Sequence, residues 1–264
     1  MVVPLDRQHL LAAVERSPQA AAAHDRAGWV GLFTGDGRVE DPVGSRPHVG
    51  REQVGRFYDT FIGPRDIKFH RDLDIVVGTT VLRDLELEVA MGSAVTMHIP
   101  AFLRYDLREA NGEWKIGELR AYWELPAMML QFLRIGSGAL RPALNLSKGL
   151  LRNQGWRGTA GFVTGFRRAG ARHQRLVTTF LDAVARKDTA ARALSSDAAM
   201  TLGDRDPLDL AELVERLDGA RATKMTSAGP TVAVALTSGH GRAIVFADVA
   251  TRGNAIDRIR YFPA

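Results

Sequence analysis

Cysteine is absent from the 264 residues, and this excludes disulfides, thiolate catalysis and cysteine-ligated metal sites. No apolar run reaches the roughly 18–20 residues that a membrane-spanning helix needs. The segment Met1-Val2-Val3-Pro4-Leu5-Asp6-Arg7 has an early acid and no apolar core, so no secretory leader is visible. The chain therefore reads as soluble and cytoplasmic. No glycine-rich phosphate loop follows a strand, no HExxH is present, and no Ser–His–Asp spacing stands out. Acidic residues are missing altogether between Glu124 and Asp182, an interval that holds Arg134, Arg141, Lys148, Arg152, Arg157, Arg167, Arg168, Arg172 and Arg175. The formal net charge of +5 is thus the property of one central segment, and the flanking parts are mildly acidic.

A hydrophobic content of 45% with 25% charged residues is ordinary for a globular protein, and the length suffices for two small cores. Residues 5–35 carry apolar side chains at helical spacing, with an interruption expected at Ser17-Pro18. Val39–Asp41 reads as a short strand. Arg51–Phe61 reads as a helix with Val54, Phe57, Tyr58 and Phe61 on one face. Beyond Ile67 the pattern alternates: strands are predicted at Leu73–Val77, Val81–Ala90, Ala94–Tyr105 and Glu113–Leu125, with turns at Gly78, Gly92 and Asn111-Gly112.

The second half repeats this order more compactly. A helix is predicted over Gln174–Ala185, continued over Ala190–Leu194, then a short strand at Met200–Leu202 and a helix over Leu208–Leu217. Strands follow at Ala222–Thr226, Thr231–Thr237, Ala243–Ala250 and Ala255–Phe262. Helices followed by runs of antiparallel strands give an α+β class, and the repeated order points to an internal duplication. The predicted domains are 1–125 and 171–264. The segment 126–170 between them is basic, apolar and glycine-containing. Its composition suits packing between domains or peripheral contact with a membrane surface, and it contains no recognised nucleic-acid-binding module.

The most informative stretch is Val39-Glu40-Asp41-Pro42-Val43-Gly44-Ser45, followed by Pro47, Gly50, Arg51-Glu52-Gln53 and Phe57-Tyr58. It places Asp41 at a junction between strand and turn, ahead of an amphipathic helix. By itself Asp-Pro is a common turn initiator. The whole string closely resembles the active-site segment of bacterial ketosteroid isomerases, a branch of the nuclear transport factor 2-like superfamily. The resemblance runs from about Ala20 to Leu125 and resumes weakly at Arg104-Tyr105-Asp106 and Ala121-Tyr122-Trp123.

The resemblance implies two cone-shaped domains, each with helices packed on a curved antiparallel sheet around an apolar pocket, the second copy being degenerate. It implies an isomerase that moves a proton on a steroid or fused-ring ketone, with Asp41 as the base and Tyr58 as an auxiliary hydrogen-bonding tyrosine. No cofactor and no metal are expected. A non-catalytic binder of steroids or lipids, or a cyclase or hydrolase of the same superfamily, remains open. Proton abstraction beside a carbonyl needs donors around the oxygen, and the family's donors do not align here. Its principal tyrosine falls at Ser17, its protonated aspartate at Ala101 and a further pocket tyrosine at Phe33.

Strand alternation places Val95, Met97, Ile99, Ala101 and Leu103 on the cavity face and His98 on the other. Trp123, Phe33 and these five residues are the predicted lining. His24 is predicted at the surface. In the second half, aligning Asp36 with Asp197 places Leu202 where Asp41 would be, so no base is expected there. Folds of this kind usually pair through their sheets, and the two domains are predicted to form a pseudo-dimer, or the chain a homodimer.

Overall fold

A computed structural model describes residues 6–91, 95–134, 169–188, 193–250 and 254–264. Backbone contacts divide the chain into two units, Met1–Phe166 and Arg167–Ala264. Most of the basic segment, the turn at Gly92 and most of the expected helix over Ala190–Leu194 lie outside the described residues.

The first unit opens with α1 (Arg7–Ala22) and α2 (Arg26–Gly31). Each has an aspartate N-cap: Asp6 accepts from the Gln8 N–H and Asp25 from the Gly28 N–H. Pro18 does not interrupt α1, contrary to expectation. It lies on the same buried face as Leu10, Ala13, Val14, Ser17 and Ala21, and packing there offsets the missing backbone bond. The break falls instead at His24, whose φ is 52°.

The rest of the unit is β1 (Phe33–Glu40), β2 (His48–Val49), α3 (Gly50–Phe57), β3 (Asp66–Val77), β4 (Thr80–Ala90), β5 (Thr96–Ala110), β6 (Glu113–Tyr122) and α4 (Leu125–Arg134). Between α3 and β3 the helix widens into a π turn over Tyr58–Ile62. The tight turns at Gly78 and Asn111-Gly112 occur as predicted, with positive φ at all three residues. Phe33–Gly35, expected at the end of a helix, begin β1. Leu125, expected in a strand, opens α4.

The sheet order is β2-β1-β6-β5-β4-β3. It is mixed rather than wholly antiparallel, because β1 runs parallel to β6. Its helix-side face and the helices bury Leu10, Val14, Trp29, Val54, Phe57, Leu85, Leu103 and Tyr105 in one core.

The second unit consists of α5 (Ala171–Ala185), β7 (Leu194–Leu202), β8 (Asp206–Pro207), α6 (Leu210–Arg216), β9 (Arg221–Ala228), β10 (Thr231–Ser238), β11 (Gly241–Val249) and β12 (Ile256–Pro263). Leu194 is strand and not helix, and Met200–Leu202 is the end of a longer strand. The sheet order is β8-β7-β12-β11-β10-β9, the same topology as in the first unit. The irregularities match too. Phe33 pairs with Ile116 and Arg38 with Glu118, while Leu194 pairs with Ile256 and Ala199 with Arg258. A Thr–Asp hydrogen bond occupies the same cross-strand register in both sheets, Thr80 to Asp106 and Thr231 to Asp248. Shared topology, shared register shifts and a shared polar pair identify two tandem copies of one fold.

The copies differ in strand length. β3, β4 and β5 have 12, 11 and 15 residues, against 8, 8 and 9 for β9, β10 and β11. At about 3.3 Å per residue, the first sheet extends well beyond the second at the end where β4 turns into β5. No described helix of either unit is long and apolar enough to cross a membrane.

Candidate functional site

The extra strand length of the first unit surrounds a cavity of about 230 Å³. Its deep part is lined by buried side chains: Ser17 and Trp29 from the first two helices, Phe57 from α3, Leu103 and Tyr105 from β5, and Leu119 from β6. Partly exposed residues form its rim, among them Phe61, Arg65, Ile67, Phe69, Met91 and Met128. In the second unit the cavity under the sheet measures about 10 Å³, the space of a single water.

Asp41 follows the last residue of β1, and the parallel pairing of Glu40 with Arg120 sets it beside the end of β6. The loop after it is tied down at three points. The Val43 N–H donates to the Ala121 carbonyl, the Gly44 N–H to the Glu40 carboxylate and the Ser45 N–H to the Pro42 carbonyl. The Asp41–Pro42 peptide is cis. The Asp41 side chain enters the cavity, where its Oδ1 accepts a hydrogen bond of 2.5 Å from Trp123 Nε1. It keeps some accessible surface because the cavity itself admits water, but its surroundings are almost wholly apolar. Desolvation pushes its pKa up from 3.8 to about 6, and the indole N–H pulls the other way. The result is a carboxylate ionised at neutral pH, with one oxygen held by Trp123.

A second polar group lies in the same cavity, and the sequence reading did not single it out. Trp29 Nε1 donates to Ser17 Oγ at 3.2 Å. Ser17 and Tyr105 both line the cavity. Burial pushes the Tyr105 phenol up to about 12, against the pull of the nearby Arg83 guanidinium and of Ser17. The indole can only donate, so Ser17 Oγ accepts from it. Each of these two hydroxyls carries one O–H that can donate, and both line the cavity that Asp41 also lines. The sequence carried a signal for this, since Tyr105 continues the alternation Met97, Ile99, Leu103.

Of the predicted lining, Met97, Ile99, Leu103 and Trp123 border the cavity. Phe33, Val95 and Ala101 do not. Phe33 packs on Trp29 at 4.8 Å between ring centres, behind the wall. The Val95 carbonyl accepts from the Met91 N–H and closes the β4–β5 hairpin. Ala101 pairs across the strands with Leu85, and both are buried. Tyr58 is also outside the lining. It opens the π turn, its ring packs against Trp29 at 5.6 Å, and its buried hydroxyl has no hydrogen-bond partner among the described residues. His98 lies on the opposite sheet face, paired with Glu86. His24 is half-exposed and contacts Asp66.

Strand register transfers these positions to the second unit. The parallel pairing places Leu202 at the position of Asp41 and Pro263 at that of Trp123. The Thr–Asp register places Ala247 at the position of Tyr105. All three polar groups are replaced by apolar ones.

Residues 10–131 match the model of the Nuclear transport factor 2 (NTF2) domain. Three solved structures are similar over roughly the same share of the chain. RV0760c from Mycobacterium tuberculosis is 27% identical, with 46% of this chain and 95% of that one covered and a TM-score of 0.42. The Delta 5-3-ketosteroid isomerase from Mycobacterium sp. is 26% identical, with 45% and 95% covered and a TM-score of 0.41. A putative SnoaL-like polyketide cyclase from Shewanella putrefaciens CN-32 is 17% identical, with 49% and 98% covered and a TM-score of 0.42.

Proposed function

We propose that the NTF2-like domain formed by the first part of this chain takes a hydrophobic ketone, steroid or similar fused-ring, into its cavity and moves a proton on it. The observation that carries this reading is a single carboxylate, Asp41, in an apolar cavity that the hydroxyl-bearing side chains of Tyr105 and Ser17 also line. A base works best when its pKa lies near the working pH, and burial brings Asp41 to about 6.

In the proposed reaction, Asp41 takes a proton from the carbon between the carbonyl and the double bond. The C–H electron pair moves into the ring system, and negative charge builds on the carbonyl oxygen. The Tyr105 hydroxyl donates to that oxygen, with Ser17 and Trp29 behind it. The protonated Asp41 then returns its proton at the far carbon of the former double bond. The product is the conjugated ketone, and Asp41 is regenerated. Trp123 keeps the carboxylate in one orientation throughout. Tyr105 here takes the part that the sequence comparison left vacant at Ser17 and Ala101.

A non-catalytic binder of the same ligands is the second reading, favoured by the apolar residue at Ala101 and by the small number of donors in the cavity. Conversion of a 5-ene-3-ketosteroid to its conjugated isomer separates the two. Wild type is expected to turn over and Asp41→Asn to bind without turnover. Equal rates in both proteins, zero included, would remove the isomerase reading.

A further inference from the structure

Arginines in the first unit that lose solvent do so beside carboxylates. Arg83 meets Asp74 and Glu15 at 2.8 Å, Arg104 meets Asp106 at 2.8 Å, and Arg120 meets Glu118. Arg65 is the exception. It sits between the π turn and β3, partly buried, and lines the rim of the cavity. Its Nη1 donates to the Thr60 carbonyl at 2.6 Å, and its guanidinium lies 6.0 Å from the centre of the Phe61 ring. Among the described residues no carboxylate pairs with it. Burial alone pulls its pKa down to about 10, with no acid to raise it. A guanidinium presents five donors in a planar fork suited to a carboxylate. The Thr60 carbonyl anchors one of them and so aims the rest. Phe61, Ile67, Phe69 and Met91, which line the same rim, offer no anion.

We infer that the cavity takes an apolar molecule that ends in a carboxylate, with the apolar body inside and the carboxylate received by Arg65 at the rim. The inference rests on the cavity being the ligand site, as proposed above, and not on the chemistry at Asp41. An uncompensated cation in apolar surroundings is unfavourable by itself, and an arriving anion relieves that cost. Electrostatics favour the same placement: Asp41, ionised at neutral pH, repels a carboxylate, while Arg65 attracts it.

The test is binding, read by quenching of the cavity tryptophans, with two matched ligand pairs. One pair is a 3-ketosteroid with a ring-D carboxylate and its uncharged methyl ketone counterpart. The other is dodecanoate and dodecanol. Wild type is expected to prefer the acid by about tenfold or more in at least one pair, as a charge-assisted hydrogen bond allows, and to lose part of that preference in 1 M salt. Arg65→Met is expected to abolish the preference for the acid over its uncharged partner, while Arg65→Lys retains part of it. Absence of any acid preference in both pairs, or its persistence in Arg65→Met, overturns the inference. The salt series on wild type decides the matter should Arg65→Met fold poorly. A preference seen only with dodecanoate upholds the role of Arg65 and removes the steroid from the proposed function. A preference in the absence of turnover removes only the chemistry at Asp41.

Discussion

Asp41→Asn should make the first unit more stable at neutral pH, although Asp41 makes a hydrogen bond in the native protein. In the unfolded chain the carboxyl titrates at its ordinary value of 3.8, and in the folded cavity at about 6. Between these values the folded state binds more protons than the unfolded state, so stability falls as pH rises through the window. Below about pH 4 both states are protonated and the effect is absent. Above about pH 6 both are ionised, and the folded state carries the full cost of a desolvated charge, about 3 kcal/mol. Asparagine removes the charge while its Oδ1 still accepts from Trp123. The variant should therefore gain up to about 3 kcal/mol at pH 7.5, or roughly 10 °C in melting temperature for a unit of this size, and no more than about 0.6 kcal/mol at pH 4. Every tryptophan of the chain precedes residue 167, so fluorescence during urea unfolding of the full chain reports the first unit. An Asp41→Asn protein less stable than wild type at pH 7.5, or a gain of equal size at pH 4 and 7.5, would refute the reasoning.

Two further expectations concern turnover of a 5-ene-3-ketosteroid. Tyr105→Phe removes the oxyanion donor and should lower kcat by about 10²–10³ with little change in KM, since the interaction is made chiefly in the transition state. A fall in affinity with kcat intact would assign Tyr105 to binding only. Trp123→Phe removes the hydrogen bond that lowers the Asp41 pKa. The acid limb of the kcat/KM profile, expected near pH 6 in wild type, should therefore move to higher pH, and a shift to lower pH would contradict the assigned role.

Asp41 was legible through the resemblance carried by its contiguous segment, since by itself Asp-Pro marks only a turn. Where the carboxylate points depends on distant residues, because the loop after it is tied to Ala121 on β6. The turns at Gly78 and Asn111-Gly112 were legible because they require positive φ. Alternation along β5 runs through Met97, Ile99 and Leu103, which line the cavity, and one further step along that strand reaches Tyr105. Tyr58 was misplaced because a helical period was extended through a segment that widens into a π turn. That turn leaves Phe57 and Phe61 at the cavity and sets Tyr58 against Trp29.

By itself the sequence determined the order of elements, the repeat, the site of the carboxylate and the lack of a counterpart at Leu202. These follow from short-range patterns that hold wherever the segment is placed. The tertiary structure alone decided what Asp41 faces and how basic it is. Trp123 reaches it from 82 residues away, and Ser17 joins Trp29 across a helix boundary. Tertiary structure also decided that the first copy encloses a cavity of about 230 Å³, walled by distant helices and strands. Desolvation, pairing and enclosed volume belong to the assembled fold, and no local run of residues specifies them.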